Sequence, residues 1–384
     1  MKAEIDELLR AAVDRGDVPN AVAVAADRDG VIYEGGAGPR AVGSADAAGP
    51  DTTFRLASMT KMITTAAVHR LVEQGRIDLD APVASYRPEF DDLMVLESVE
   101  GDTPKLRPPA SRATVRQLAS HTSGLGYWFW NADLVAWEAA TGVPNVLAGD
   151  ARAFTAPLVA DPGTKIVYGH STDWLGLILE TVSGQSIDVH LKESILEPLG
   201  MASTAFAIPE DQRAGLSPVH VKGEAGAWVA TDIDWPREPD WWPGGHGLYS
   251  TPRDYLRFQR MLLSGGELDS VRVLSRESVD AAFSNQVGEL TMPEVIPTAS
   301  PMHSCDFPTG PGRVWGLGLM LNTQQEAGMR APWSGAWAGL CNSHFWVDRT
   351  TGVTGAIYSQ FLPFVTPESM ELYAEFEKAL YTGL

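Results

Sequence analysis

Strand-like sequence lies towards the two ends of this chain and helix-like sequence fills the middle, and that separation restricts the fold more than any other feature. Near the start, "AVAVAADRDGVIYEGGAG" holds two β-type runs joined by Asp27-Arg28-Asp29-Gly30, a hairpin signal. Residues 314–320, 343–348 and 353–360 also read as strands. Between them, from about 85 to 250, helical pieces alternate with long Pro- and Gly-rich loops. The expected fold class is therefore α/β (α+β): a body built from residues 1–84 and 251–384, carrying a mostly helical insertion domain at 85–250.

The helices announce themselves by period and punctuation. Residues 3–15 place Ile5, Leu8, Leu9 and Val13 on one side of an amphipathic helix. A helix from Ser58 to about Gln74 stops at Gly75, and another in "STDWLGLILETVSG" stops at Gly184. "STPRDYLRFQRMLLSGG" starts a helix with Ser250 or Thr251 as N-cap and Pro252 in the first turn. Residues 367–381 form a closing amphipathic helix, and the Trp-rich stretch 222–247 reads as irregular.

Bulk properties narrow the function classes. With 384 residues, 44% of them hydrophobic, the chain can build a large core without a disulfide or metal staple. A net charge of −20 repels nucleic acid and anionic membranes, so neither is an expected partner. Two scattered cysteines, Cys305 and Cys341, make no disulfide framework. The N-terminus lacks the uninterrupted apolar core of a signal peptide, and the expected address is the cytoplasm. No His-Glu-x-x-His or Cys-x-x-Cys spacing occurs, so no metal or cofactor is expected; "MHSCD" (302–306) reads as a solvated loop. The acidic surface neither requires nor excludes a dimer.

One charge is out of place. In "FRLASMTKMITTAAV", Lys61 stands alone on a helix that otherwise reads as buried, three residues after Ser58. At that spacing both side chains share a helix face. A serine at a helix start also meets unpaired N–H groups and the positive dipole end, which favour a developing oxyanion. A lysine desolvated there has a lowered pKa and can take the serine's proton. The plain alternative is an ordinary N-terminal serine followed by a snorkelling lysine.

The surroundings favour the catalytic reading. "FRLASMTK" with "LVEQGRIDLDAPV", "LASHTSGLGY" (118–127), "PGTKIVYGHSTDWLGLILETVSGQS" (162–186), "GGHGLYSTPRDYLRFQRMLLSGGEL" and "WAGLCNSHFWVDRTTGVTGAIYSQFLPF" (337–364) follow one another along nearly the whole chain. In content and order they resemble the serine β-lactamase and penicillin-binding-protein superfamily, in particular its class C-like branch of family VIII carboxylesterases. The resemblance implies a β-lactamase-like fold with an antiparallel sheet flanked by helices. It implies Ser58 as nucleophile, Lys61 as its activating base, and Tyr168 as the phenol that shares the base and leaving-group acid roles. A phenol beside an ammonium would then release its proton near neutrality. It further implies an oxyanion hole from the backbone N–H groups of Ser58 and Leu340.

The chain departs from the lactamases where they carry Lys-Thr-Gly. Here Trp337-Ala338-Gly339 occupies that strand, and His170 stands where the lactamase Tyr-x-Asn motif has its asparagine. A cation suited to a β-lactam carboxylate is replaced by a neutral indole. With Trp337, Ala338, Gly339 and His170 as substrate-binding residues, the expectation is a serine carboxylesterase acting on small uncharged esters through a Ser58 acyl-enzyme. The alternatives are an acyltransferase, or an amide, β-lactam or D-peptide hydrolase on the same machinery, or a catalytically idle binding protein. "PWSG" (332–335) is a rival alignment for the third motif. Trp128, Trp130, Trp235, Trp241 and Trp242 are candidate pocket walls or packing residues. His121 and His246 read as satisfied loop histidines, and Asp173 as a helix-start carboxylate rather than a triad acid.

Overall fold

A computed structural model describes residues 1–384. Its centre is one seven-stranded sheet, all of it antiparallel, in the order Arg313–Trp315, Met320–Asn322, Gly335–Gly339, Ser343–Asp348, Val353–Tyr358, Ala21–Asp27, Val31–Ala37. The N-terminal hairpin thus joins the C-terminal strands through Val22 opposite Tyr358 and the pairs after it. The hairpin turn forms as its residues require, with the Asp27 carboxylate accepting the N–H groups of Asp29 and Gly30 at 2.8 Å.

Two apolar layers cover the sheet. Helices Lys2–Asp14 and Pro367–Thr382 bury Ile5, Leu9, Phe376 and Leu380 against one face, in a cluster of 18 buried residues. Helices Thr60–Glu73 and Pro252–Leu263 cover the other, in a cluster of 79 that continues through Ser171–Ser183 and the aromatic loop near residue 128. Thr251 proves to be the N-cap of Pro252–Leu263, its side chain accepting the Asp254 N–H. Gly75 and Gly184 end their helices with φ of 68° and 76°.

Three local expectations change. The run 314–320 is not one strand but two short ones, Arg313–Trp315 and Met320–Asn322, folded back on each other. The chain reverses at Gly318, whose φ of 85° is open to glycine, and the Gly316 N–H donates to the Leu319 carbonyl oxygen at 2.8 Å across the turn. The charged segment 95–107, expected among loops, pairs as the hairpin Val95–Glu100 with Thr103–Arg107. Part of the Trp-rich stretch pairs as His220–Lys222 with Trp228–Ala230.

The closing helix is tied to the sheet by a buried charge pair. Arg330, in the loop before Gly335–Gly339, donates its N–H and Nε to Glu377 at 2.8 Å and a guanidinium N–H to Tyr373 Oη at 2.7 Å. Glu377 is fully buried. Replacing Arg330 with methionine strands that carboxylate, so Arg330→Met is expected to lose about 3–5 kcal/mol of stability, measured by urea unfolding.

Candidate active site

The nucleophile candidate occupies a single turn of tighter 3-10 helix, Ala57–Met59, that runs into the α-helix beginning at Thr60. Ala57, just before it, has φ of 45°, a left-handed conformation that costs a non-glycine residue about 1–2 kcal/mol. That kink turns Ser58 outward: the serine is half-buried while Ala57 and Met59 on either side of it are buried. The strand end at Gly339 presses on the same turn, since a Cβ there would meet the Leu56 carbonyl oxygen at 2.3 Å. Only glycine lets the strand approach so closely. The next residue, Leu340, has a backbone N–H that donates to no group in the protein.

Lys61 is 1% exposed, and its amine is surrounded by oxygen atoms. Nζ lies 3.2 Å from Ser58 Oγ, 2.9 Å from Tyr127 Oη and 2.7 Å from the Gly245 carbonyl oxygen. The rings of Tyr127 and Tyr168 flank it, their centroids 5.1 and 4.9 Å from Nζ. Burial drives the lysine pKa well below its ordinary value, and the Asp173 carboxylate offsets part of that shift. The lysine is thereby brought towards its neutral, proton-accepting form.

Tyr168 completes the group. Its hydroxyl accepts the Trp337 Nε1–H at 2.8 Å, and its ring lies 4.5 Å from the Trp337 ring. The expectation that a neighbouring ammonium would make this phenol acidic is overturned. Burial raises its pKa beyond the usual phenol range, hydrogen bonding with Ser58 and Trp337 pulls it only partway back, and Asp173 raises it further. Desolvation is the largest of these effects, because the phenol is enclosed on all sides. At neutral pH Tyr168 is a phenol, and Lys61 is the group poised to change charge.

Ser58, Lys61, Tyr168 and Trp337 thus come together, with Gly339 and Leu340 beside them. The rival alignment fails on position: Trp333 is 47% exposed in a turn, while Trp337 meets Tyr168. Ala338 pairs with His344 and helps line a cavity of about 450 Å³ with Trp337, Phe307, Met320 and His344. His170 is buried with Nδ1 at 3.1 Å from the Gly126 carbonyl oxygen, and burial lowers its pKa to about 4. It faces the Tyr127 ring at 6.4 Å rather than sharing the cavity beside Trp337.

The aromatic candidates divide in two. Trp130 lies 5.5 Å from Tyr168, stacks on Phe307 and donates to Ser304 Oγ, so it walls the site. Trp235 and Trp241 pack instead around His246, and Trp242 packs against Phe206. His121 and His246 were expected to be satisfied loop histidines. Both are buried, and the Nδ1 of each lacks a hydrogen-bond partner. Sequence reasoning passed over Tyr127, whose signal was its place at the end of the Gly-rich "HTSGLGY" loop. No groups of His, Cys, Asp or Glu are arranged to hold a metal ion, and no helix is long and apolar enough to cross a membrane.

Known proteins resemble this chain along most of its length. The family model described as Beta-lactamase matches residues 5–380. The chain is 30% identical to a lovastatin esterase from Penicillium rubens, over 91% of each chain. It is 31% identical to the acyltransferase calJ from Penicillium decumbens, over 85% of this chain and 80% of that one. A solved structure of simvastatin synthase from Aspergillus terreus, in a mutant form, superimposes with a TM-score of 0.87 at 27% identity, over 99% of this chain and 96% of that one.

Tyr127 supplies one of the three oxygens around the Lys61 amine. Tyr127→Phe removes it, and a hydrogen bond to such a group contributes about 1.5–3 kcal/mol. The expected result is a drop of about 10- to 100-fold in the rate of Ser58 labelling by a fluorophosphonate at pH 7.

Proposed function

The chain belongs to the beta-lactamase family, and on that premise we propose that it is a serine carboxylesterase that opens small uncharged esters through an acyl-enzyme on Ser58. The observation that carries this reading is the 3.2 Å approach of the buried Lys61 amine to the half-buried Ser58 hydroxyl. Support for uncharged substrates comes from Trp337-Ala338-Gly339, which puts an indole and a methyl where lactamases carry a cation and a hydroxyl.

The reaction runs as follows. Neutral Lys61 takes the proton of Ser58 as Oγ bonds to the ester carbonyl carbon. The backbone N–H groups of Ser58 and Leu340 hold the oxyanion, aided by the first-turn position of Ser58. The C–O bond to the alcohol then breaks, and Tyr168 passes its phenolic proton to the departing alkoxide while Lys61 re-protonates Tyr168. Water attacks the acyl-enzyme with the same groups in reverse, which releases the acid and restores Ser58.

A second reading, acyl transfer to an alcohol acceptor, is favoured by the names of two relatives, the acyltransferase calJ and simvastatin synthase. It differs only in what attacks the acyl-enzyme. Adding an alcohol during turnover of a p-nitrophenyl ester distinguishes the two. Esterase action yields free acid with little new ester, whereas a transferase speeds p-nitrophenol release and diverts the acyl group to the alcohol.

Two outcomes follow for p-nitrophenyl acetate and butyrate. Ser58→Ala should lose at least about 10⁴-fold in kcat/KM, with the acetylated Ser58 peptide absent from its mass spectrum. An unreduced rate in that variant removes Ser58 from the chemistry. Because the base must be unprotonated and its pKa is depressed, kcat/KM should rise with pH through the neutral range. It should level off well below pH ~10.4, where an ordinary lysine would titrate.

A further inference from the structure

Asp173 is a helix-start carboxylate by position, but its hydrogen bond goes to another segment of the chain. It sits in the first turn of Ser171–Ser183, yet its Oδ1 accepts the N–H of Gly245 at 2.7 Å, and Oδ2 has no hydrogen-bond partner. The same residue, Gly245, offers its carbonyl oxygen to Lys61 Nζ at 2.7 Å. One peptide residue therefore joins the carboxylate to the amine. Gly245 is glycine for this reason: a Cβ there would lie 2.6 and 2.8 Å from the two Asp173 oxygens. Asp173 is 1% exposed, and a carboxylate that deeply buried is costly unless a cation lies near it.

We propose that Asp173 is the buried counter-ion of Lys61 and, through the Gly245 residue, the positioning residue that holds the Lys61 amine against Ser58. No other group around the amine can play this part. Facing it are Ser58 from its own turn, Tyr127 from the aromatic loop, Tyr168, and the buried histidines His121, His170 and His246. Burial keeps the histidines neutral, with His170 lowered to about 4 and His246 to about 3, and raises both tyrosines. His246 Nδ1 lies 3.8 Å from Asp173 Oδ1, but as a neutral imidazole it supplies no charge. Asp173 is left as the one carboxylate facing the lysine, and each moves the other's pKa towards the charged pair, against desolvation.

This inference rests on the Ser58–Lys61 reading above, so its test needs a readout apart from turnover. Of the chain's seven lysines, Lys61 alone is buried, which makes its ε-carbon assignable in protein labelled with [ε-¹³C]lysine. The comparison is between Ser58→Ala and Ser58→Ala/Asp173→Asn, titrated by NMR. Asparagine keeps the shape and the acceptor for Gly245 but removes the charge, so the Lys61 midpoint should fall by about one pH unit. In the enzyme with Ser58 intact, Asp173→Asn should move the acid limb of kcat/KM the same way, which a merely structural residue would not. Should Asp173→Asn fail to fold, Gly245→Ala, which displaces the carboxylate, is expected to give the same downward shift. An unchanged Lys61 midpoint in the folded variant overturns the proposal. Loss of Ser58-dependent turnover in the parent enzyme would instead overturn the esterase reading and leave the Lys61 titration to decide the role of Asp173.

Discussion

Keeping one amine out of water is the constraint around which this structure is organised. Lys61 lies inside the largest apolar cluster of the molecule, where an isolated ammonium costs several kcal/mol. The fold meets that cost from several directions. The Gly-rich loop before Tyr127 brings in a phenol oxygen, and the 244–246 turn presents a carbonyl. The helix Ser171–Ser183 adds a carboxylate behind that turn. Each comes from a different part of the chain, so the site exists only when the pieces are assembled. What desolvation leaves is an amine close to its neutral form beside a serine that the Ala57 kink keeps accessible.

The same economy of charge extends to the rest of the pocket. Trp130, Phe307, Trp315, Trp337 and the two tyrosines enclose the reacting groups with rings, and the Trp337 indole spends its N–H on Tyr168. Every titratable group close to Lys61 is pushed towards its uncharged state by burial. In such surroundings a fixed backbone donor or a lone carboxylate has far more influence than it would in water. Serine hydrolase and acyltransferase machinery of the β-lactamase fold is what this family membership and geometry amount to.

Much of this was legible from residue order. The hairpin at 21–37, the helix stops at Gly75 and Gly184, and the Ser58–Lys61 spacing are local signals, each set by a few neighbouring residues. The errors have equally local causes. The run 314–320 has the composition of a strand, and only the left-handed backbone of Gly318 shows where it folds back. Trp333 and Trp337 are equivalent as letters, and their exposures separate them.

Sequence by itself determined the fold class, the family resemblance and the pairing of a serine with a lysine one helical turn away, because those depend on patterns written within short stretches. Tertiary structure alone decided towards which charge state each buried group is pushed. A neighbouring cation, read from motif order, suggests an acidic Tyr168, but desolvation is a property of everything packed around a group, and it reverses that expectation. The role of Asp173 was hidden for the same reason: its partner is a glycine 72 residues along the chain, and no local pattern records how close they come.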